Sequence, residues 1–408
     1  MVDSLRIAIL TRSTEPCGST VHALALGEAL CAHGHEAVVH APDPSGRGFF
    51  RDARCPVVSV SAKPVTGTAA ALVGTRIADY LAHFSTPAAC DFDIFHAQCG
   101  ISGNALATLT RRRLIPGFVR TVHHVTMVAE SQLAQWQERA IVDAGRLLCV
   151  SRTGAAELLA EFGMRADMIG HGVDGAVYRP EPESGDGDLR RRLGLGAGPV
   201  FLSVGGFALR KNTLTIIEAF AAIRQLVPDA QLLVAGGDAR ADHAGYEARC
   251  CALLERAGLA IGPGQPVIRA GPMTQADMPS LYRIADTLIA PSLTGSYGLC
   301  VLEAMACGTP AIISAQSSGV DGPALVETLT ADPDDAGAIA SAMRTSLEPA
   351  RRAQFRNAGR EVARAHTWET CAARHLPIYE SFAPSRKPLM PVATGSAAWN
   401  IQRFPRDA

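Results

Sequence analysis

Apolar residues come in short runs of four or five, each followed by a polar, glycine-bearing loop and then a stretch with apolar positions at helical spacing. The first set is a strand over 6–10, a loop over 11–20, a helix over 21–33 (VHALALGEALCAH) and a strand over 37–40. Gly34 closes that helix, as glycine does at a C-terminus. Strand, helix and strand in this order make a βαβ unit, the element of a parallel sheet. The pattern recurs: strands at 94–96, 119–123 and 146–150 alternate with helices at 103–112, 130–143 and 153–162.

The stretch 180–198 (PEPESGDGDLRRRLGLGAG) is rich in Pro, Gly and charge and reads as a linker carrying a short helix at 188–193. A second α/β series follows. Strands are expected at 200–204, 231–235, 267–270, 287–290 and 311–314. Helices are expected at 214–226, 246–257, 276–284, 299–306, 336–347 and 351–365. The expected architecture is two doubly wound α/β domains in tandem, 1–182 and 199–365, joined by a linker at 183–198. Ligands in such sheets bind beyond the carboxyl ends of the strands, and two facing domains make the cleft between them the default site. A tail over 383–408 shows no clear period and is expected to be weakly ordered.

Composition agrees with large buried cores. Of 408 residues, 48% are apolar and 19% charged, which excludes a disordered chain. Lys and Arg number 38 against 39 Asp and Glu, so the net charge is −1 and the field of a dedicated nucleic-acid binder is missing. No apolar run reaches the roughly 18 residues of a membrane span, and 7–10 is too short for a signal-peptide core. The 11 cysteines are odd in number, form no Cys-x-x-Cys pair and sit mostly in apolar segments. They read as reduced core thiols of a cytoplasmic protein, without the spacing of a metal site.

Four segments can carry chemistry. The first is PSLTGSYGLCVLEAMACGTP (291–310), where a strand end feeds a glycine loop and then a helix. The unpaired N–H groups and positive dipole end of such a helix suit a phosphate or diphosphate. Glu303 lies a turn in, on an apolar helix; it either holds a partner such as a ribose diol or is an exposed residue of an ordinary helix. The second is FLSVGGFALRKN (201–212). Gly205 and Gly206 allow close backbone approach, and Arg210 and Lys211 either clamp an anion or form a solvated pair. The third is Thr121-Val122-His123-His124 at a strand end, where a histidine is either a proton-handling group or a structural one. The fourth is Pro16-Cys17-Gly18-Ser19, before the first helix, which is not the G-x-G-x-x-G of a dinucleotide fold.

These residues resemble the retaining family-4 glycosyltransferases of the GT-B fold (glycosyl transferases group 1). PSLTGSYGLCVLEAMACGTPAI resembles the family signature. GSTVHALALGEALCAHGHEAVV resembles its first helix and second strand, and SVGGFALRKNTLTIIEAF the first strand–loop–helix of its donor domain. HGVDGAVYRP resembles its Asn-Gly-Val-Asp segment, with His171 in place of Asn. LYRIADTLIAPS resembles the run before the signature, and His366-Thr367-Trp368 the start of a closing helix, 366–382, that crosses back to the first domain. The resemblance covers about 6–382.

It implies transfer of a sugar from a nucleotide-diphosphate sugar to an acceptor, with retention and without a metal or other cofactor. The C-terminal domain would hold the nucleotide sugar and the N-terminal domain the acceptor. Lys211 matches the diphosphate lysine and Glu303 the ribose glutamate. Ser296, Tyr297, Gly298 and Leu299 match the loop and helix start beneath the diphosphate. His123 matches the histidine near the reacting sugar, and Gly18 the glycine loop approaching the donor. There are two departures. The first signature glutamate is here Gly295, and the arginine after the strand glycine is here Gly206, with Arg210 as its replacement. The departures leave a second reading, a non-catalytic relative that binds a nucleotide sugar or a partner protein. Base recognition is expected near 270–273. Arg12, Arg111–Arg113 and Arg120 leave an anionic acceptor or a peripheral membrane contact open.

Overall fold

The computed structural model describes residues 4–125, 130–237, 244–293, 298–316 and 329–383. The chain divides into two compact units. Unit 1 is Met1–Val150, Gly154–Gly170 and Trp368–Ala408; unit 2 is Ser151–Thr153 and His171–Thr367.

Unit 1 contains β1 (Arg6–Leu10), α1 (Gly18–Ala32), β2 (Glu36–Asp43), β3 (Val57–Ser61), α2 (Ala69–His83), β4 (Ile94–Ala97), α3 (Gly100–Arg111), β5 (Val119–Val122), α4 (Ser131–Val142), β6 (Arg146–Cys149), α5 (Arg152–Phe162) and β7 (Asp167–Met168). Its sheet is parallel throughout, in the order β3-β2-β1-β4-β5-β6-β7. The central strand β1 (RIAIL) is flanked on both edges and covered on both faces, so it is apolar without alternation. Helix α1 approaches the sheet closely at Gly27, where a Cβ would stand 2.9 Å from Val39 Cγ2. The Tyr80 hydroxyl of α2 lies 2.5 Å from the Thr11 carbonyl oxygen and 2.8 Å from that of His40, tying α2 to the ends of β1 and β2.

Unit 2 contains α6 (Ser184–Arg192), β8 (Val200–Val204), α7 (Thr213–Leu226), β9 (Gln231–Ala235), α8 (Ala244–Arg256), β10 (Val267–Gly271), α9 (Met278–Ile284), β11 (Thr287–Ala290), α10 (Leu299–Ala306), β12 (Ala311–Ser314), β13 (Leu329–Ala331), α11 (Ala336–Leu347) and α12 (Pro349–Ala365). Its parallel sheet runs β10-β9-β8-β11-β12-β13. Two apolar clusters, one on each face, enclose it.

The final helix α13 (Trp368–Phe382) belongs to unit 1. There Trp368, His375 and Tyr379 are buried, and the Tyr379 hydroxyl lies 2.7 Å from His96 Nδ1 under the sheet.

The division between the units differs from the expected one. Residues 171–182 fall in unit 2, where Val173 bridges to Thr367. The expected linker 183–198 is largely built into that unit. Leu189 of α6 is buried in its core, and the Arg283 guanidinium donates to both carboxylate oxygens of Asp186. Elements β3, α2, β7 and β13 carry no counterpart in the expected list. The tail from 384 onward lies outside the described residues.

Candidate functional site

In unit 2 the winding reverses between β8 and β11, so the loops after these two strands flank a topological switch point, where α/β sheets bind ligands. After β8 the chain passes through Gly205 and Gly206, both with left-handed φ (128° and 71°). Their N–H groups both donate to the Ala235 carbonyl, at 2.7 and 3.0 Å. A Cβ on Gly206 would stand 2.6 Å from the Gly237 carbonyl oxygen, and one on Gly236 2.6 Å from the Gly206 nitrogen. The ends of β8 and β9 therefore interlock backbone to backbone. Gly206 is glycine for that reason, and no side chain fits where the resemblance leads one to look for an arginine.

A Cβ on Gly205 would stand 2.7 Å from Lys211 Cε, so the lysine stem lies directly over this bare backbone. A single 3₁₀ turn (Leu209–Lys211) presents Arg210 and Lys211, and Asn212 in the left-handed region (φ 61°) redirects the chain into α7. The buried Asn212 side chain fixes this turn. Its Nδ2 donates to the Pro333 and Pro291 carbonyls at 2.6 and 3.3 Å, and its Oδ1 accepts from Thr215 at 2.7 Å. The Leu293 N–H donates to the Arg210 carbonyl at 3.2 Å, which joins the two switch-point loops.

Helix α10 begins at the same place. Gly298 is its N-cap (φ 77°), and glycine brings no capping side chain of its own. Cys300, in that turn, is the strongest electrostatic neighbour of Lys211 and pushes the lysine pKa up, as does Glu303. Burial and the Arg210 charge outweigh them, and the net direction is down. Glu303 is 8% exposed. Burial raises its pKa, against hydrogen bonds from Tyr282 and Tyr178 and the Lys211 charge. The Tyr282 hydroxyl donates to Glu303 Oε2 at 2.6 Å, and Gln275 Nε2 donates to the Tyr178 hydroxyl at 2.8 Å. The carboxylate is held between two tyrosine hydroxyls, within electrostatic reach of the Lys211 ammonium.

Of the residues expected in the site, the structure brings together Gly205, Gly206, Arg210, Lys211, Gly298, Leu299 and Glu303. Ser296, Tyr297 and the departure Gly295 lie outside the described residues. A cavity of about 360 Å³ lies along the expected base-reading segment, lined by Ala270, Pro272 and Met273 together with Arg192, Arg269 and Asp277.

His123 and Gly18 belong to unit 1. Half-buried His123 follows β5; its Nε2 lies 2.9 Å from Gln98 Oε1, and its ring meets His22 edge-on at 5.0 Å. Behind it the buried His96 links Thr121 and Tyr379. Gly18 opens α1 with nothing within 4 Å of a Cβ position and no left-handed φ, so nothing in the unit itself demands glycine there. Burial would raise the pKa of the adjacent Cys17 thiol. The Arg12 charge and hydrogen bonds from Ser19 and Thr20 outweigh it and bring the thiol below its ordinary value.

Two doubly wound parallel units in one chain, with a helix from beyond the second packed on the first, define the GT-B class of glycosyltransferases. The second unit places Lys211 and Glu303 beside one another at its switch point. The chain belongs to the glycosyl transferases group 1 family: that family's profile matches residues 187–362, and the glycosyl transferase 4-like domain matches 18–170. It is similar to the D-inositol 3-phosphate glycosyltransferase of Salinispora tropica, 32% identical over 337 residues that cover 76% of this chain and 68% of the relative. Among solved structures it is similar to the sucrose-phosphate synthase of Thermosynechococcus elongatus (TM-score 0.72, 23% identity, 92% of this chain and 98% of the other). It is also similar to Anabaena HepE in complex with UDP-glucose (TM-score 0.70, 19% identity, 92% and 100%). No helix among the described residues is long and apolar enough to cross a membrane.

Proposed function

We propose that this glycosyltransferase takes a nucleotide-diphosphate sugar in unit 2 and transfers the sugar, with retention and without a metal ion, to an acceptor hydroxyl. The observation that carries the reading is the placement of Lys211 over Gly205, with Arg210, Glu303 and the start of α10 around it. As the bond from the anomeric carbon to the diphosphate oxygen breaks, negative charge grows on the leaving group. Lys211, Arg210 and the first N–H groups of α10 oppose it, and removing one such donor typically costs about 10²–10³ in rate. The acceptor oxygen attacks from the face the diphosphate leaves, and its proton passes to a diphosphate oxygen. Glu303 accepts from the ribose hydroxyls, and the cavity beside Met273 takes the base. His123 orients the sugar. The UDP-glucose held by HepE makes uridine the first base to test, and the activity named for the Salinispora relative makes an inositol phosphate the first acceptor.

The test is thermal unfolding of the full chain with UDP, GDP and ADP, alone and as sugar conjugates. A ligand at a hundred times its Kd stabilises by about 2.7 kcal/mol. One nucleotide series raising the unfolding temperature, followed by turnover with inositol 3-phosphate, is the expected result; no shift with any nucleotide overturns it. One observation favours a second reading, binding without transfer. The backbone interlock at Gly206 bars an arginine there, which leaves Arg210 to supply the charge.

A further inference from the structure

Unit 2 carries a second concave site at the other end of α10. An open groove of about 740 Å³ runs between the 180–182 turn, Gly308 just past α10, and the first half of α12. The eight residues of α10 set it about 12 Å from the helix start described above. Arg352, Arg356 and Arg360 line the groove from one face of α12, at four-residue spacing; Glu181 is the acidic residue of the lining.

These arginines hold more donors than the fold uses. Arg352 pairs with Asp286 at 2.6 Å. Arg356 Nε donates to the Gly308 carbonyl at 2.7 Å, and Arg360 Nη2 to Asn357 Oδ1 at 3.2 Å. The Nε–H groups of both Arg352 and Arg360 are buried with no acceptor among the described residues. Like charges four apart on a helix repel. Arg356 registers this: burial lowers its pKa first, and the charges of Arg352 and Arg360 lower it further against the single opposing charge of Asp286. Three guanidiniums along one concave surface, whose Nη groups carry donors beyond the bonds above, match the flat, multidentate oxygen array of a phosphate. The groove has the volume of a small-molecule site.

We infer that this groove binds a small anion bearing two or more phosphate charges, at a site separate from the donor site. Diphosphate and phosphate esters share the chemistry. Binding draws on the Arg356 and Arg360 guanidiniums, while Arg352 stays paired to Asp286.

The probe is inorganic diphosphate, titrated calorimetrically into the full-length Lys211→Ala variant so that the donor site contributes least; inorganic phosphate serves as comparison. The expected result is one diphosphate site that persists in Lys211→Ala, binds diphosphate more tightly than phosphate, and weakens on the order of tenfold for each arginine neutralised. The arginine variants are Arg360→Gln alone and Arg356→Gln with Arg360→Gln, each in the Lys211→Ala background. Should the double variant fail to fold, Arg360→Gln carries the test, because among the described residues its side chain bonds only Asn357. The inference is overturned if Lys211→Ala takes up no diphosphate, if phosphate binds as well as diphosphate, or if the arginine variants bind as their parent does.

Discussion

Gly206→Ala and Gly18→Ala should act in opposite ways, the first on stability and the second on turnover. Gly206 sits at φ 71° with its hypothetical Cβ 2.6 Å from the Gly237 carbonyl oxygen. Gly206→Ala therefore brings a left-handed strain of about 1–3 kcal/mol and an overpacking cost of about 1–3 kcal/mol against backbone that cannot rotate away. The sum, about 2–6 kcal/mol, lowers the unfolding temperature of a unit this size by roughly 5–20 °C. Gly18→Ala meets nothing within 4 Å and replaces glycine in the first turn of α1. Its stability stays level or rises by about 0.4–1 kcal/mol. If the space over Gly18 is reserved for the donor, the methyl group displaces it, and kcat/KM falls on the order of 10²-fold. The assay is a pair of thermal melts and a pair of turnover measurements on the same preparations. An unchanged melt for Gly206→Ala refutes the interlock, and a fully active Gly18→Ala refutes the proposed approach of the donor to α1.

Lys211→Ala should keep the unfolding temperature of the parent while turnover falls about 10²–10³-fold; equal turnover removes Lys211 from the reaction. Glu303→Gln separates stability from binding. Because burial raises the folded-state pKa of Glu303, its contribution is greatest below the unfolded carboxylate value of about 4.3 and is lost as pH rises through the folded value. The amide variant should therefore gain in urea midpoint over the parent at pH 8 but not at pH 4, and bind UDP about 10–100-fold more weakly. The same gain at both pH values would sink the argument. The buried histidines act in the opposite sense. Burial holds His40 to about 3 and His171 and His375 to about 4, so the stability they confer is complete above the unfolded value of about 6.5 and is lost as pH falls toward those values. Urea midpoints should drop between pH 6.5 and pH 4, and His375→Gln should flatten that slope.

The strands most legible in the sequence are those the fold covers on both faces. β1, β8, β9, β11 and β12 are buried almost end to end, and each contains at least three consecutive apolar residues. Strand β3 is an edge strand with Val60 as its one buried residue, so VVSVS carries neither a run nor a clear alternation into the core. Helix α2 buries Arg76, Ile77 and Tyr80 and leaves most of its alanines exposed, which puts apolar residues on its solvent side as well. The stretch 183–198 has the composition of a linker because α6 contributes one buried apolar residue, Leu189. The Asp186–Arg283 pair that docks it spans 97 positions and leaves no local trace.

The same division runs through the candidate site. Lys211, Arg210 and Glu303 stand out because charge beside glycine, or within an apolar helix, is locally anomalous. The residues that hold them look ordinary where they stand. Tyr282 reads as a core aromatic of α9 and Tyr178 as a loop residue, yet their hydroxyls turn toward one buried carboxylate. Asn212 reads as the tail of an Arg-Lys-Asn run, yet its side chain closes the β8 turn onto the ends of two other loops, reaching 79 and 121 positions along the chain. Gly206 shows the limit from the other side. By resemblance it stands where an arginine is expected, whereas the backbone of Gly236 and Gly237 makes it a position where any side chain must displace backbone. If the chain retains transfer, its compensating charge must come from a residue already on the switch-point loop, and Arg210 is the cation placed there beside Lys211. Arg210→Ala should then cost this protein more turnover than the loss of a peripheral cation would, while Gly206→Arg should lower stability without restoring rate.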